Sequence, residues 1–374
     1  MQATEIDDLC QARGWSRARL IHDLRRVARE RNVELPADDS LRRMIRQWAA
    51  GHRGFSDFYA DLMGAVFGAE FTTGKSIAEV RESHTEPELI DRLHSAATVD
   101  SGLILLLEQQ TEMLRVLDRR LGAVHLLKQS EQHLIQVSDL LSYSLPGPHR
   151  AALGATAAEA AALAGWQALD LGDAAQAWRH HETAKNAARE AGDPAILAHV
   201  TAQQAYALLD ADRAGEAVQL MQHARESAGT AIPELMRSWL WAAEAESLAA
   251  MGEGLASRRA LDEAARLLPA QPTRAELPYI MLDSTHLGRW RGHCLARLGA
   301  AEAIEDLTAS LDSLDPTWAR ATAGHHTDLA LAYSVRGQHH EAREQARKAQ
   351  ALANRTASVR QKQRIARLLS SGIS

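Results

Sequence analysis

Cysteine is almost missing: Cys10 and Cys294 are the only two among 374 residues. They are too few and too far apart for a disulfide framework, and they form no zinc-type pair, so a reducing cytoplasmic setting is expected. Long apolar runs are missing too. The densest, Leu103 to Leu107, is far short of the roughly 20 residues a membrane helix needs. The N-terminal segment from Met1 to Asp8 is acidic and has no apolar stretch of the kind a secretory signal carries. Lysine is rare, 5 residues against 37 arginines, a bias that fits a GC-rich genome as well as a binding role. The clustering of arginine is therefore more informative than its number.

Enzyme signatures are absent as well. No His-Glu-x-x-His, Gly-x-Ser-x-Gly, dinucleotide fingerprint or Cys-His signature occurs, and the expectation is a non-enzyme without cofactor or metal. Gly68-Ala-Glu-Phe-Thr-Thr-Gly74-Lys-Ser76 has five residues between its glycines, where a phosphate loop has about four, and it follows a helix rather than a strand. A polar linker is the better reading. The paired histidines His180-His181, His325-His326 and His339-His340 point about 100° apart on a helix, which is poor geometry for sharing one metal. Groove or surface positions are expected for them.

What is present is helical periodicity, and an all-α chain of two or three domains is expected. The most informative stretch is Asp39-Ser-Leu-Arg-Arg-Met-Ile-Arg-Gln-Trp-Ala-Ala-Gly51. On a helix Leu41, Met44, Ile45 and Trp48 share one face, Arg43 and Arg46 lie opposite, and Arg42 and Gln47 take the shoulders. A preceding amphipathic helix, about Ser16 to Arg29, turns Leu20, Ile21, Leu24, Val27 and Ala28 inward. A following one carries Phe55, Phe58, Tyr59, Leu62 and Val66. Four short helices with a basic third one form a helix-turn-helix pattern. From Arg13 to Arg53 there are 11 arginines, no lysine and five acids, a net +6 within a chain whose total is −6. Such a basic segment on an acidic body is an electrostatic footprint for phosphates.

Gly14-Trp-Ser-Arg-Ala-Arg-Leu20, the run Ser40 to Arg53 and Leu117-Asp-Arg-Arg-Leu-Gly122 resemble the actinobacterial Xre-type helix-turn-helix regulators that carry a tetratricopeptide-repeat sensor domain. The turn Arg31 to Asp38 is longer than the general pattern of that family. The resemblance implies a transcriptional regulator, with control of antibiotic production or development as its setting.

The organisation expected is a helix-turn-helix domain over 1–70, a polar linker over 71–100, coupling or dimerisation helices over 101–148 and a tetratricopeptide-like α-solenoid over 149–374. Leu107, Leu114, Leu117, Leu121 and Val124 space too few heptads for a coiled coil, so a helical hairpin is the reading for the third segment. Beyond Pro146, turn signals recur at Gly172-Asp173, Asp210 to Asp212, Gly252, Gly299 and Gly337. Alanine-rich helices flank each, which is the logic of five degenerate hairpin repeats with close crossings. The last helix, about Thr356 to Leu369, carries Arg360, Lys362, Arg364 and Arg367 and no acid. It reads as the polar cap of a solenoid, with a second DNA contact as the alternative.

Arg43 and Arg46 are the expected base contacts on double-stranded DNA, since a guanidinium can donate two bonds to guanine. Arg17, Arg19, Arg42, Gln47 and Arg53 are the expected phosphate contacts. A homodimer follows because one small head reads few bases. Most solenoid aromatics are expected in the core. Trp178, Tyr206, Trp239, Trp290 and Tyr333 are candidates for a groove that takes a peptide, small-molecule or protein effector. Asparagine, which often clamps peptide backbones, is confined to Asn32, Asn186 and Asn354, and this weakens a peptide. The rival from another class is a non-enzymatic interaction scaffold with a basic N-terminal docking module.

Overall fold

A computed structural model describes residues 6–31, 33, 35–49, 55–68, 71, 86–271, 277–315 and 317–370. Every regular element among them is helical. The chain divides into two compact units, Met1–Arg92 and Leu93–Ser374.

In the first unit the helices are α1 (Ile6–Ala12), α2 (Arg17–Glu30), α3 (Asp38–Ala49) and α4 (Asp57–Phe67). The Ser16 hydroxyl accepts the Arg19 N–H and starts α2, satisfying one of the donors a helix start leaves open. Gly68 ends α4 in the left-handed region. The inward faces are those the periodicity gives: Leu20, Ile21, Leu24 and Val27 from α2, and Leu41, Ile45 and Trp48 from α3, are buried. Trp48 packs on Phe55 and Tyr59 with centroids 5.0 and 4.9 Å away. Phe58 of α4 is exposed. Arg13 donates to the carbonyls of Val66 and Phe67 and so tends the C-terminal end of α4.

The segment read as linker is in part helical. Glu86–Ala97 forms α5, because Leu89, Ile90 and Leu93 recur at helical spacing within a polar sequence that hides the period. Apart from Gly68 and Phe71, the Gly68 to Ser76 run lies outside the described residues.

The second unit opens with α6 (Ser101–Leu121) and α7 (Leu127–Tyr143), both packed against α8 (Pro148–Asp170). Ten helices then form five hairpins: α8 with α9 (Ala174–Ala191), α10 (Pro194–Asp210) with α11 (Ala214–Ala228), α12 (Glu234–Ala250) with α13 (Gly254–Leu267), α14 (Ser284–Arg297) with α15 (Ala303–Asp312), and α16 (Ala319–Val335) with α17 (His339–Arg355). Each hairpin turns on one residue of positive φ: Gly172, Asp212, Gly252, Gly299 and Gly337. The first helix of each hairpin also meets the first helix of the next, so α8, α10, α12, α14 and α16 form an inner layer, as in tetratricopeptide-like superhelices.

Alanine and glycine set the crossing distance. A Cβ placed on Gly165 of α8 would lie 2.8 Å from the Cε1 of His181 in α9, a ring with no solvent exposure. Gly165→Ala is expected to destabilise the protein by about 1–3 kcal/mol through overpacking, read as a lowered denaturant midpoint. An unchanged midpoint would mean that the crossing has slack.

The superhelix closes on itself. The final helix α18 (Val359–Ser370) packs on α16 and α17 and returns to α8, while α16 reaches α6. Arg360 and Arg364 turn inward rather than forming a solvated cap or a free basic face, while Arg367 stays exposed. Arg360 pairs with Asp210 at 2.7 Å, Arg364 with Asp328, and Arg367 lies 3.5 Å from Asp212. The Ser358 hydroxyl donates to Asp170 at 2.7 Å.

Two paired histidines also depart from a groove or surface position. His181 and His325 are buried in helix crossings, while their neighbours His180 and His326 are half-buried, as the 100° step between adjacent residues requires. Burial pushes His181 and His325 down to about 4 and His199 to about 3. Between about pH 4 and 6.5 the unfolded chain takes up protons that these folded imidazoles do not, so stability falls as pH drops through that window. At pH 5 the loss is about 2 kcal/mol per histidine. His293, whose pKa is raised, offsets part of this, because its contribution is complete below its unfolded pKa. A series of denaturant melts from pH 7.5 to 5 should show a falling midpoint that His199→Phe makes shallower. A flat profile would contradict the burial of these rings as neutral bases.

Candidate functional site

The inner layer encloses a cavity of about 350 Å³. Each helix contributes one stripe of residues three, four or seven apart. These are Glu159, Leu163, Trp166 and Asp170 from α8; Ile196, His199, Gln203 and Tyr206 from α10; Trp239 and Glu246 from α12; His286, Arg289, Trp290 and His293 from α14; and Arg320, Gly324 and Asp328 from α16. Arg115, Asp118 and Arg119 of α6 and Arg360, Gln361 and Arg364 of α18 complete the wall. The lumen is thus bounded by residues from both ends of the unit.

Charge dominates this wall and is mostly paired. His293 sits with Nδ1 2.8 Å from Asp328 and Nε2 3.3 Å from Glu246. Burial alone would depress the imidazolium, but the two carboxylates outweigh it and hold the His293 pKa above its ordinary value. Burial likewise opposes ionisation of Asp328 and Glu246. His293 with Arg364 on Asp328, and His293 with Arg297 and Arg360 on Glu246, nevertheless keep both carboxyls far below the usual range. Glu246 Oε2 also accepts the Trp290 indole N–H at 2.7 Å and the Tyr206 hydroxyl at 3.4 Å. Arg320 pairs with Asp118 and approaches Asp170 at 3.7 Å, and Arg115 pairs with Glu159 at 2.9 Å. Burial raises the Glu159 pKa, and Arg115 offsets only part of that. The Arg360 guanidinium lies 5.3 Å from the Trp166 ring and 5.7 Å from Tyr206.

Aromatic rings supply the rest. His199 lies 4.7 Å from both Trp239 and Tyr279, and Trp239 meets Trp290 edge-on at 6.0 Å. Of the expected groove residues, Tyr206, Trp239 and Trp290 line the cavity. Trp178 does not: it lies on the outward helix α9, 38% exposed. Tyr333 does not either, because it packs between the α14–α15 and α16–α17 hairpins. Sequence reading missed Trp166, Tyr279, Trp318 and the polar wall. Most solenoid aromatics were expected to lock helix pairs, but the inner layer turns them to the lumen. The recurrence of Trp or Tyr on the inward stripe of successive first helices was the available signal.

The first unit places its arginines differently. Arg42, Arg43 and Arg46 are exposed on α3, opposite Leu41, Ile45 and Trp48, and Gln47 is half-buried at the edge. Arg17, Arg19 and Arg42 are paired with Asp7, Asp23 and Asp39 at 2.8, 2.8 and 3.0 Å. Arg25, Arg26 and Arg31 have acid partners as well. Arg43 and Arg46 have no such partner among the described residues. Arg53 lies outside the described residues.

Among the described residues no group of three His, Cys, Asp or Glu could hold a metal ion, and no helix is long and apolar enough to cross a membrane. Fold and site together define a tetratricopeptide-like helical-hairpin superhelix with a charged, aromatic lumen, preceded by a small helical unit with a basic helix face. No protein-family model matches the chain, and no curated protein matches it. Among solved structures it is similar to a Podosopora anserina kinesin light chain with nearly identical TPR-like repeats, at 16% identity. That match covers 52% of this chain and 92% of the other, with a TM-score of 0.33. The repeat architecture is defined by the hairpin packing itself rather than by this likeness.

Proposed function

We propose that the chain is a non-enzymatic, cytoplasmic regulator whose first unit is a helix-turn-helix head on double-stranded DNA and whose second unit holds an effector in its lumen. One observation carries the DNA reading. While Arg17, Arg19, Arg25, Arg26, Arg31 and Arg42 are tied to carboxylates, Arg43 and Arg46 stand exposed on the face of α3 opposite its buried residues, with no ion pair among the described residues, as does Arg29 on α2. Two guanidiniums one turn apart match guanine edges in a major groove. Arg17 and Arg42 can exchange their exposed carboxylate partners for phosphate at little cost, since such pairs are worth about 0–1 kcal/mol, whereas Arg19 is held by the buried Asp23.

A dimer would present two heads about 34 Å apart. Leu105, Leu106, Met113 and Val116 on α6 are exposed and offer an apolar face for it. An effector then changes DNA affinity by the difference between its affinities for the two states of the protein.

The second reading is an interaction scaffold, favoured by the stacked hairpins, an architecture whose concave surfaces bind protein segments, and by the same exposed α6 face. Under it the basic head docks an acidic protein. Titration of a labelled random-sequence duplex at rising salt separates the two. Four to six phosphate contacts lower affinity on the order of 10²–10³-fold between about 50 and 200 mM salt. A weak salt response, or no duplex binding, supports the scaffold.

A further inference from the structure

The Arg289 guanidinium lines the lumen, and among the described residues it has no hydrogen-bond or ion-pair partner. Its neighbours explain why. The nearby carboxylates are Asp328, taken by His293 and Arg364, and Glu246, taken by His293 and Trp290. Within this cluster protonated His293, Arg364 and Arg289 face two carboxylates, a local excess of one positive charge, while elsewhere on the wall Arg320 faces both Asp118 and Asp170. Burial pushes the Arg289 pKa down, and the nearby Asp328 and Glu246 charges offset only part of that. Burying an unpaired charge is costly, and the usual resolution is an anion that arrives with its own hydrogen-bond acceptors.

The rest of the lumen limits what that anion is. Trp239, Trp290 and Tyr279 give flat apolar walls. His199 stays a neutral base near pH 7, with Nδ1 buried and without a hydrogen-bond partner. The volume of about 350 Å³ lies within the roughly 300–1,000 Å³ range of small-molecule sites.

Resting on the reading that the lumen takes an effector, we infer that this effector is a small organic carboxylate with a planar apolar body, its carboxylate held by Arg289 and its ring by Trp239 and Trp290. Bidentate pairing selects the acid group, and the aromatic wall selects flat ligands over branched aliphatic ones.

The test uses the full chain and matched probes, 2-naphthoate and its neutral isostere 2-naphthamide, with binding followed by calorimetry and by quenching of tryptophan fluorescence. The acid is expected to bind at least about tenfold more tightly than the amide, as one charge-assisted pair supplies. Arg289→Gln should abolish that preference without weakening the amide, and Arg289→Lys should keep part of it. Without ligand, Arg289→Gln should melt at or above the wild-type temperature, because it removes a charge with no partner. Equal binding of acid and amide, both lost in Trp239→Ala, would overturn the anion site and leave the lumen as an apolar receptor. Failure of both probes, together with a lowered melting temperature for Arg289→Gln, would mean that Arg289 is a structural cation, and would overturn the inference.

Discussion

Asp328→Ala is expected to destabilise the protein by about 3–5 kcal/mol, because it removes one partner of a buried charge network and leaves cations uncompensated. Asp328 is 6% exposed and receives His293 at 2.8 Å and Arg364 from the closing helix α18. Without it, His293, Arg364 and Arg289 face Glu246 alone. The loss is therefore local charge imbalance together with detachment of α18 from α16. Calorimetry should show a melting temperature lower by about 5–8 °C. Limited proteolysis should cut α18 first, while Asp328→Asn, which keeps an acceptor for one neighbour, should fall between alanine and wild type. A shift below about 2 °C would mean that the network is dispensable and that the lumen is not closed by charge.

Arg43→Ala combined with Arg46→Ala is expected to lower affinity for a preferred duplex site by about 2–6 kcal/mol, on the order of 10²–10⁴-fold. Both side chains are exposed and make no ion pair among the described residues, so the variant should unfold at the wild-type denaturant concentration. That separates lost recognition from lost structure. Arg42→Ala breaks only an exposed pair with Asp39; it should weaken all duplexes alike and flatten the salt dependence. An equal loss on preferred and random DNA from the Arg43 Arg46 variant would move both residues to the phosphate backbone.

Local patterns in the sequence were legible and long-range pairings were not. The face of α3 follows from a 3.6-residue period. The hairpin turns follow from glycines, with Asp212 taking a positive φ at the turn that lacks one. No period reveals that Arg320 pairs with Asp118, 202 residues away, or that Arg360 meets Asp210, 150 residues away. Closure by α18 was hidden for that reason, and its arginines resembled a solvated cap. Trp178 and Tyr333 were chosen by residue type, whereas the deciding variable is which helix of a hairpin carries the ring. Arg289 was invisible as a site because its meaning depends on neighbours that are already paired.

The most direct test of the account is selection of binding sites from random duplex DNA by the full chain, with the Arg43→Ala Arg46→Ala variant in parallel. The expected result is enrichment of one inverted repeat, with half-sites one or more helical turns apart, which the variant no longer recovers. No enrichment by the wild type, or the same repeat recovered by the variant, would contradict a DNA-reading role for α3.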